Sequence, residues 1–273
     1  MANYSDTGLG KQTQYKDQYD AGLLYPIPRS KARHQSNDAE LPFKGLDIWT
    51  AFEISWLNPA GLPQIAIGEF FIPCTSAAIV ESKSLKLYLN SFNQTQLASR
   101  EAVSELILAD LSAATGSTVD VVLYDPGEYN GLKPVSEPSG ICLDQRPVRI
   151  DRYDPDSGLL QADSQKIVTE TLYSHLLRTN CPVTDQPDWA SLYISYQGPA
   201  IDRDELLKYI VSFRQHQDFH EQCVEKIYMD ILERCQPSEL SVYARYMRRG
   251  GLDINPFRSS HISMPPAFRQ ERQ

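Results

Sequence analysis

A chain of 273 residues with 41% hydrophobic content is long enough for two domains of ordinary size and apolar enough to fill their cores. Its formal net charge of −9 argues against a protein that grips a phosphate backbone, so no nucleic-acid partner is expected. Five cysteines, Cys74, Cys142, Cys181, Cys223 and Cys235, form no C-x-x-C pair and are odd in number, which suits reduced thiols better than a disulfide framework. The first ten residues are polar and lack the apolar stretch of a signal peptide, and no apolar run approaches the ~20 residues of a membrane helix. A soluble cytoplasmic protein without a membrane partner is expected.

Residues 1–40 are polar and dotted with Tyr4, Tyr15, Tyr19 and Tyr25, and read as an arm that wraps or stays loose. Over 46–56 the residues alternate: Leu46, Ile48, Thr50, Phe52, Ile54 and Trp56 on one face, Asp47, Glu53 and Ser55 on the other. That period predicts a half-buried strand. Asn58-Pro59-Ala60-Gly61 is a turn and 64–72 the returning strand. Helical spacing follows, with Leu85, Tyr88, Leu89 and Phe92 on one helix and Val103, Ile107 and Leu111 on a second. Residues 117–124 alternate again.

The stretch 126–160, rich in proline and glycine, predicts a linker with short extended pieces, among them 148–153. The order then repeats. Residues 167–177 and 190–196 alternate, Asp202 and Glu205 suggest a capping box, and two helices carry Leu206, Tyr209, Ile210 and Phe213, then Val224, Ile227, Tyr228, Ile231 and Leu232. Ser91-Phe92 recurs as Ser212-Phe213, an offset of 121 (213 − 92). The same offset pairs Tyr88 with Tyr209, Gln96 with Gln217, Val103 with Val224, Leu111 with Leu232 and Ser117 with Ser238. An ungapped offset over so many positions predicts a duplicated unit of about a hundred residues. At that offset His220 and Glu221 stand opposite Ser99 and Arg100, and Glu81 opposite Asp202. The expected division is an arm over 1–40, a first unit over 41–135, a linker over 136–160 and a second unit over 161–273.

Four stretches hold candidate chemistry. Glu81-Ser82-Lys83-Ser84-Leu85-Lys86-Leu87-Tyr88 gathers a carboxylate, hydroxyls and lysines at a helix start, where free N–H groups favour anions. The alternative is an ordinary capped, solvated helix start. In the run from Thr179 to Trp189, Pro182 and Pro187 bias Cys181 and Gln186 toward extended backbone. That stiffens a loop in which Asp188 can turn back toward the sulfur, a nucleophile with a proton donor, or else a core cysteine beside a surface turn. His220-Glu221 can line one pocket wall, or form a surface pair. Arg248-Arg249-Gly250-Gly251 suits a phosphate group, or is a solvated basic turn. No G-x-G-x-x-G fingerprint occurs, so a nicotinamide cofactor would not sit on a Rossmann unit. No His/Cys zinc spacing occurs either, so no metal is expected.

Together these motifs make the chain resemble the NADPH-dependent 7-cyano-7-deazaguanine reductases, the nitrile reductases of queuosine biosynthesis, in their long two-copy form. The residues that carry the resemblance are Glu81 to Tyr88, Asn180 to Asp188, and Arg248-Arg249-Gly250-Gly251-Leu252-Asp253-Ile254-Asn255-Pro256. It implies an α+β fold of tandem tunnelling-fold units, each an antiparallel sheet with two helices, and a homodimer. It also implies that Cys181 adds to the nitrile carbon as a covalent thioimidate, with Asp188 as proton donor, a role that needs a raised carboxyl pKa of the kind burial can supply. Glu81 and Glu221 would hold the deazaguanine ring, beside Val80, Ser82 and His220. Ser82, Lys83, Arg249 and Gly250 would contact NADPH. A cyclohydrolase-like enzyme of the same fold would want zinc ligands, and a non-catalytic purine- or pterin-binding protein would not need Cys181.

Overall fold

The computed structural model describes residues 15–33, 41–137 and 139–273; Tyr4 and the polar first ten residues lie outside them. The strands and helices run in chain order as β1 (Pro26–Pro28), β2 (Lys44–Leu57), β3 (Pro63–Pro73), β4 (Ala78–Val80), α1 (Ser82–Asn90), α2 (Arg100–Thr115), β5 (Asp120–Tyr124), α3 (Pro126–Leu132), β6 (Ile141–Cys142), β7 (Ala162–Asn180), β8 (Pro187–Ile201), α4 (Arg203–Ser212), α5 (His220–Cys235), β9 (Glu239–Tyr246) and β10 (Leu252–Ser259). The fold is mixed α+β with antiparallel sheet. It divides into one unit of residues 1–40, 47–134 and 248–253, and another of 41–46, 135–247 and 254–273. The units are thus discontinuous in sequence: 41–46 joins the second and 248–253 the first. The stretch read as a linker, 136–160, lies wholly in the second.

In the first unit β3 pairs with β5 from Ile67↔Tyr124 to Phe71↔Asp120. β2 and β3 are joined by a turn in which Asn58 N–H donates to Leu62 O at 3.0 Å. The strict alternation expected for β2 holds only from Phe52 onward; residues 47–51 are buried without interruption. Asp47 explains part of this, because it lies under the arm, where Arg29 Nη2 meets its Oδ2 at 2.5 Å. The described arm is therefore wrapped structure. Its β1 pairs with β4 from Pro26↔Val80 to Pro28↔Ala78, and Tyr19 packs edge-on against Phe92.

In the second unit β7 and β8 form a long antiparallel hairpin, β8 pairs with β9 and β9 with β10. The short β6 runs parallel to β7. The helices α4 and α5 bury Leu206, Tyr209, Ile210, Val224, Ile227 and Ile231 completely, as their 3.6-residue spacing requires. Gly45 allows a backbone crossing here. A Cβ at that position would stand 2.0 Å from the Phe257 carbonyl oxygen, a contact no other residue could make.

Several elements differ from expectation. Residues 148–153 form no strand. A helix, α3, occupies the glycine- and proline-rich stretch, because Asp125, Pro126 and Glu128 supply a capping box with proline in the first turn. β9 and β10 flank the Gly-Gly turn that had read only as a basic loop. Pro187 opens a strand instead of continuing the loop before it.

The duplication is visible, with a corrected register. Glu81 and Asp202 cap α1 and α4 in the same way. Ser91 Oγ donates to Tyr88 O, and Ser212 Oγ to Tyr209 O, both at 2.6 Å, so the offset of 121 holds through the first helix of each copy. The second helices follow an offset of 120. Tyr88 donates to Asp110 and Tyr209 to Asp230, both at 2.6 Å. Buried Ile107, Leu111 and Thr115 match buried Ile227, Ile231 and Cys235. Gly116 and Gln236 both close their helices in the left-handed conformation. One residue is missing before α5, so Leu111 corresponds to Ile231 and not to Leu232. Likewise His220 and Glu221 correspond to Arg100 and Glu101.

Tyr19 also donates to Asp110, at 2.7 Å, and burial, followed by that bond, raises its phenol from 10.0 to about 12. A raised folded-state value means the neutral phenol's contribution is complete below about pH 10 and lost as pH rises through about 12. Tyr19→Phe should cost at most about 1 kcal/mol at neutral pH and should flatten the loss of stability over that alkaline range. Urea midpoints measured against pH check both.

Candidate active site

The hairpin end of β7 and β8 is built by register. Thr179 pairs with Asp188 and Asn180 with Pro187, leaving a loop that starts at Cys181 and ends at Gln186. Cys181 N–H donates to Gln186 O at 2.9 Å, and Asp185 N–H to Cys181 O at 3.0 Å. Asp185 takes a left-handed backbone, φ 57°, a conformation Asp tolerates better than most residues. Cys181 is thus held at both its N–H and its carbonyl, with its side chain 7% exposed.

A second segment docks on the same end. Asn180 N–H donates to His216 O at 2.7 Å, and Asp218 N–H to Asn180 O at 3.3 Å. These bonds bring the first turn of α5, with His220 and Glu221, to the hairpin end. His220 Nε2 lies 3.3 Å from Asp188 Oδ2. The imidazole stacks flat on Tyr246, centroids 3.6 Å apart and planes 1° from parallel. Asp188 and Glu221 are both buried. His220 Nδ1 and Asn180 Oδ1 are buried without a hydrogen-bond partner, and buried polar atoms of that kind call for a ligand or water. Cys223 and Tyr246 lie in the same neighbourhood. Burial pushes both well above their usual range, and the charges of Asp188 and Glu221 push in the same direction. Both therefore stay neutral, and Cys223 is a core thiol.

In the first unit, Val80 ends β4 and Glu81 caps α1. Glu81 Oε1 accepts from Lys83 N–H and its Oε2 from Ser84 N–H, each at 2.8 Å. Its own N–H donates to Tyr25 O of the arm at 2.9 Å. The helix N-terminus is thus already occupied by a carboxylate, which removes it as an anion site. Ser82 and Lys83 in the first turn are half-exposed. The turn at 248–253 lies in this unit too. Arg249 N–H donates to Leu252 O at 2.8 Å and Phe52 N–H to Gly251 O at 2.9 Å. The guanidinium of Arg248 lies over the Phe52 ring at 3.9 Å. Gly250 and Gly251 have φ of 61° and 77°, where a side chain is strained, and a Cβ on Gly250 would meet Lys86 Cε at 3.2 Å. Glycine there lets the turn close over Lys86.

The predicted residues therefore fall into two groups. Cys181, Asp188, His220 and Glu221 come together in the second unit, and Val80, Glu81, Ser82, Lys83, Arg249 and Gly250 belong to the first. Tyr246, Asn180 and Lys86 add to these groups and were not singled out as site residues from sequence. Lys86 stood in a noted motif, one helical turn beyond Lys83. Tyr246 had no signal beyond lying next to the basic turn.

Comparison with known proteins points the same way. The family described as the N-terminal part of the nitrile reductase, 7-cyano-7-deazaguanine reductase, matches residues 15–123, and that of the QueF-like proteins matches 187–264. The NADPH-dependent 7-cyano-7-deazaguanine reductase of Cupriavidus necator is 52% identical over 270 residues, covering 97% of each chain. That of Burkholderia lata is 53% identical over 274 residues, covering 99% of this chain and all of its own. The chain belongs to the NADPH-dependent 7-cyano-7-deazaguanine reductase family. A solved archaeosine synthase QueF-Like, in its apo form, aligns over 35% of this chain and 95% of its own, with a TM-score of 0.31 and 16% identity. Of the predicted and added site residues, all but Asn180 and Cys181 fall within the two family regions.

Glu81→Ala should lower stability by about 0.5–2 kcal/mol through loss of the cap. Glu81→Gln keeps one acceptor oxygen and should cost less. Thermal unfolding of the two variants separates the cap from any part Glu81 has in binding.

Proposed function

We propose that the chain reduces the nitrile of 7-cyano-7-deazaguanine to the 7-aminomethyl group with two NADPH, in queuosine biosynthesis, through a thioimidate on Cys181. The observation that carries the reading is the hairpin end, a backbone-fixed Cys181 in the same site as the buried Asp188 and its neighbour His220, in a chain of this family. A nitrile carbon is a weak electrophile, which suits a thiolate. As the sulfur–carbon bond forms, one electron pair of the C≡N bond moves to nitrogen, and Asp188 delivers a proton there. His220, 3.3 Å from Asp188, can hand on the next proton, and its flat stacking on Tyr246 keeps the imidazole in place.

NADPH, when bound, supplies a hydride at each of the two reductions. Lys86, which packs against Gly250, and Arg249 in the same turn, with Lys83 one helical turn before Lys86 on α1, offer cations that fit its phosphates. After the first reduction the thiolate leaves and an imine forms, which hydrolyses readily; the burial of Asp188 and Glu221 favours keeping water out. Glu221, with Glu81, accepts from the N–H donors of the deazaguanine ring. The same proposal takes each unit as a tunnelling-fold copy, the protein as a homodimer and its place as the cytoplasm. Among the described residues no helix is long and apolar enough to cross a membrane.

Incubation with 7-cyano-7-deazaguanine alone should add the nitrile's whole mass to the protein. Cys142 is the control, because it is exposed while Cys74, Cys223 and Cys235 are buried. Cys142→Ser should keep the adduct and Cys181→Ala should lose it; an adduct on Cys181→Ala protein sinks the assignment. In steady-state assays NADPH should be preferred strongly to NADH, and Arg249→Ala should raise the KM for NADPH while leaving adduct formation nearly unchanged. Equal use of NADH would remove the phosphate role from these cations.

A further inference from the structure

A cluster of ligating side chains lies outside the proposed catalytic site. Cys142, Asp144 and His175 bring a sulfur, a carboxylate oxygen and an imidazole nitrogen within 4.8 Å of one another. The placement follows from pairing. β6 runs parallel to β7 with Cys142 opposite Tyr173, and Leu143 N–H donates to Tyr173 O at 2.9 Å. Leu143 is fully buried, so Cys142 and Asp144, one position to either side, turn outward toward His175.

We propose that Cys142, Asp144 and His175 form a binding site for a thiolate-seeking divalent cation of the zinc type. The donor set is S, N and O, which suits zinc or cobalt and not magnesium or calcium. Two of the three ligands are already oriented. His175 Nδ1 hydrogen-bonds Ser191 Oγ at 2.7 Å, which leaves Nε2 for the metal, the second-shell arrangement usual for metal-binding histidines. Asp144 Oδ1 accepts from Ser174 Oγ at 2.6 Å, and the carboxylate also accepts from His175 N–H at 3.2 Å. Glu137 Oε2 stands 3.9 Å from His175 Nε2, so the fourth position can be filled by that carboxylate or by water. Bound metal would clamp the segment carrying β6 onto β7. The cation takes no part in the nitrile chemistry, so the site stands independently of that proposal.

The test uses full-length protein, stripped with chelator and titrated with Co²⁺ at neutral pH. The expected result is one Co²⁺ per chain with a sulfur-to-cobalt charge-transfer band. Cys142→Ser should abolish the band, and because Cys142 is exposed the variant should keep the wild-type circular dichroism. Ser191→Ala, which touches the metal only through His175, should weaken binding about 10–100-fold. Cys181→Ala should leave the titration unchanged. Absence of a thiolate band in the wild type, a band that survives Cys142→Ser, or one lost in Cys181→Ala overturns the proposal.

Discussion

The register of the β7–β8 hairpin is the constraint on which the candidate active site depends. With Thr179 opposite Asp188, Asp188 points to the buried face and its neighbour Trp189 to the outer one, 7% and 37% exposed. Slipping the pairing by one residue would exchange those faces. The outer face resists that slip. Trp189 is flanked by the guanidinium groups of Arg178 and Arg214, each within 5.6 Å of its ring, and Arg178 is its paired residue across the ladder. The same register sets the length of the loop that begins at Cys181. A cation–π cluster on the solvent side thereby fixes which carboxylate sits beside His220 on the other.

Duplication supplied the scaffold twice and the chemistry once. The first copy closes its hairpin at Asn58, whose N–H donates to Leu62 O; the second closes at Cys181, whose N–H donates to Gln186 O. Both copies cap their first helix with a carboxylate. Glu81 spreads its two oxygens over two backbone N–H groups, whereas Asp202 serves two with one oxygen. The shorter run into α5 places His220 and Glu221 at the hairpin end. Their counterparts by structure, Arg100 and Glu101, are half-exposed and exposed, and Arg100 makes ion pairs with Asp125 and Glu128. A single missing residue thus accompanies the change from a surface helix start to a buried one.

The second unit gathers several polar groups near Asp188, an arrangement that apolar packing would not select. Asp188 and His220 share a contact, Tyr246 covers one face of the imidazole, and Cys223 and Tyr246 are held neutral by burial. Of the five thiols, Cys74, Cys223 and Cys235 are buried core residues, Cys223 among them near Asp188 and Glu221, and Cys142 lies out on β6. Only Cys181 combines burial with a place at the loop end of a hairpin, in the same region as the Asp188–His220 contact.

Residue types and local spacing were enough to give the strands 46–56, 64–72 and 190–196, all four principal helices and the duplication, because strand and helix periods and caps act over a few residues. What lay beyond that reach was set by tertiary contacts. β10 is buried at every position and β9 at every position after Glu239, so they show no alternation to read. The one-residue slip before α5 leaves each helix's own period intact, and only hydrogen bonds such as Tyr209–Asp230 reveal it. The stacking of Tyr246 on His220 joins residues 26 apart in sequence (246 − 220), and the convergence of Cys142 and Asp144 with His175 depends on β6 pairing with β7. Sequence specified which side chains could do chemistry; pairing register and burial decided which of them meet, since both depend on contacts between segments distant along the chain.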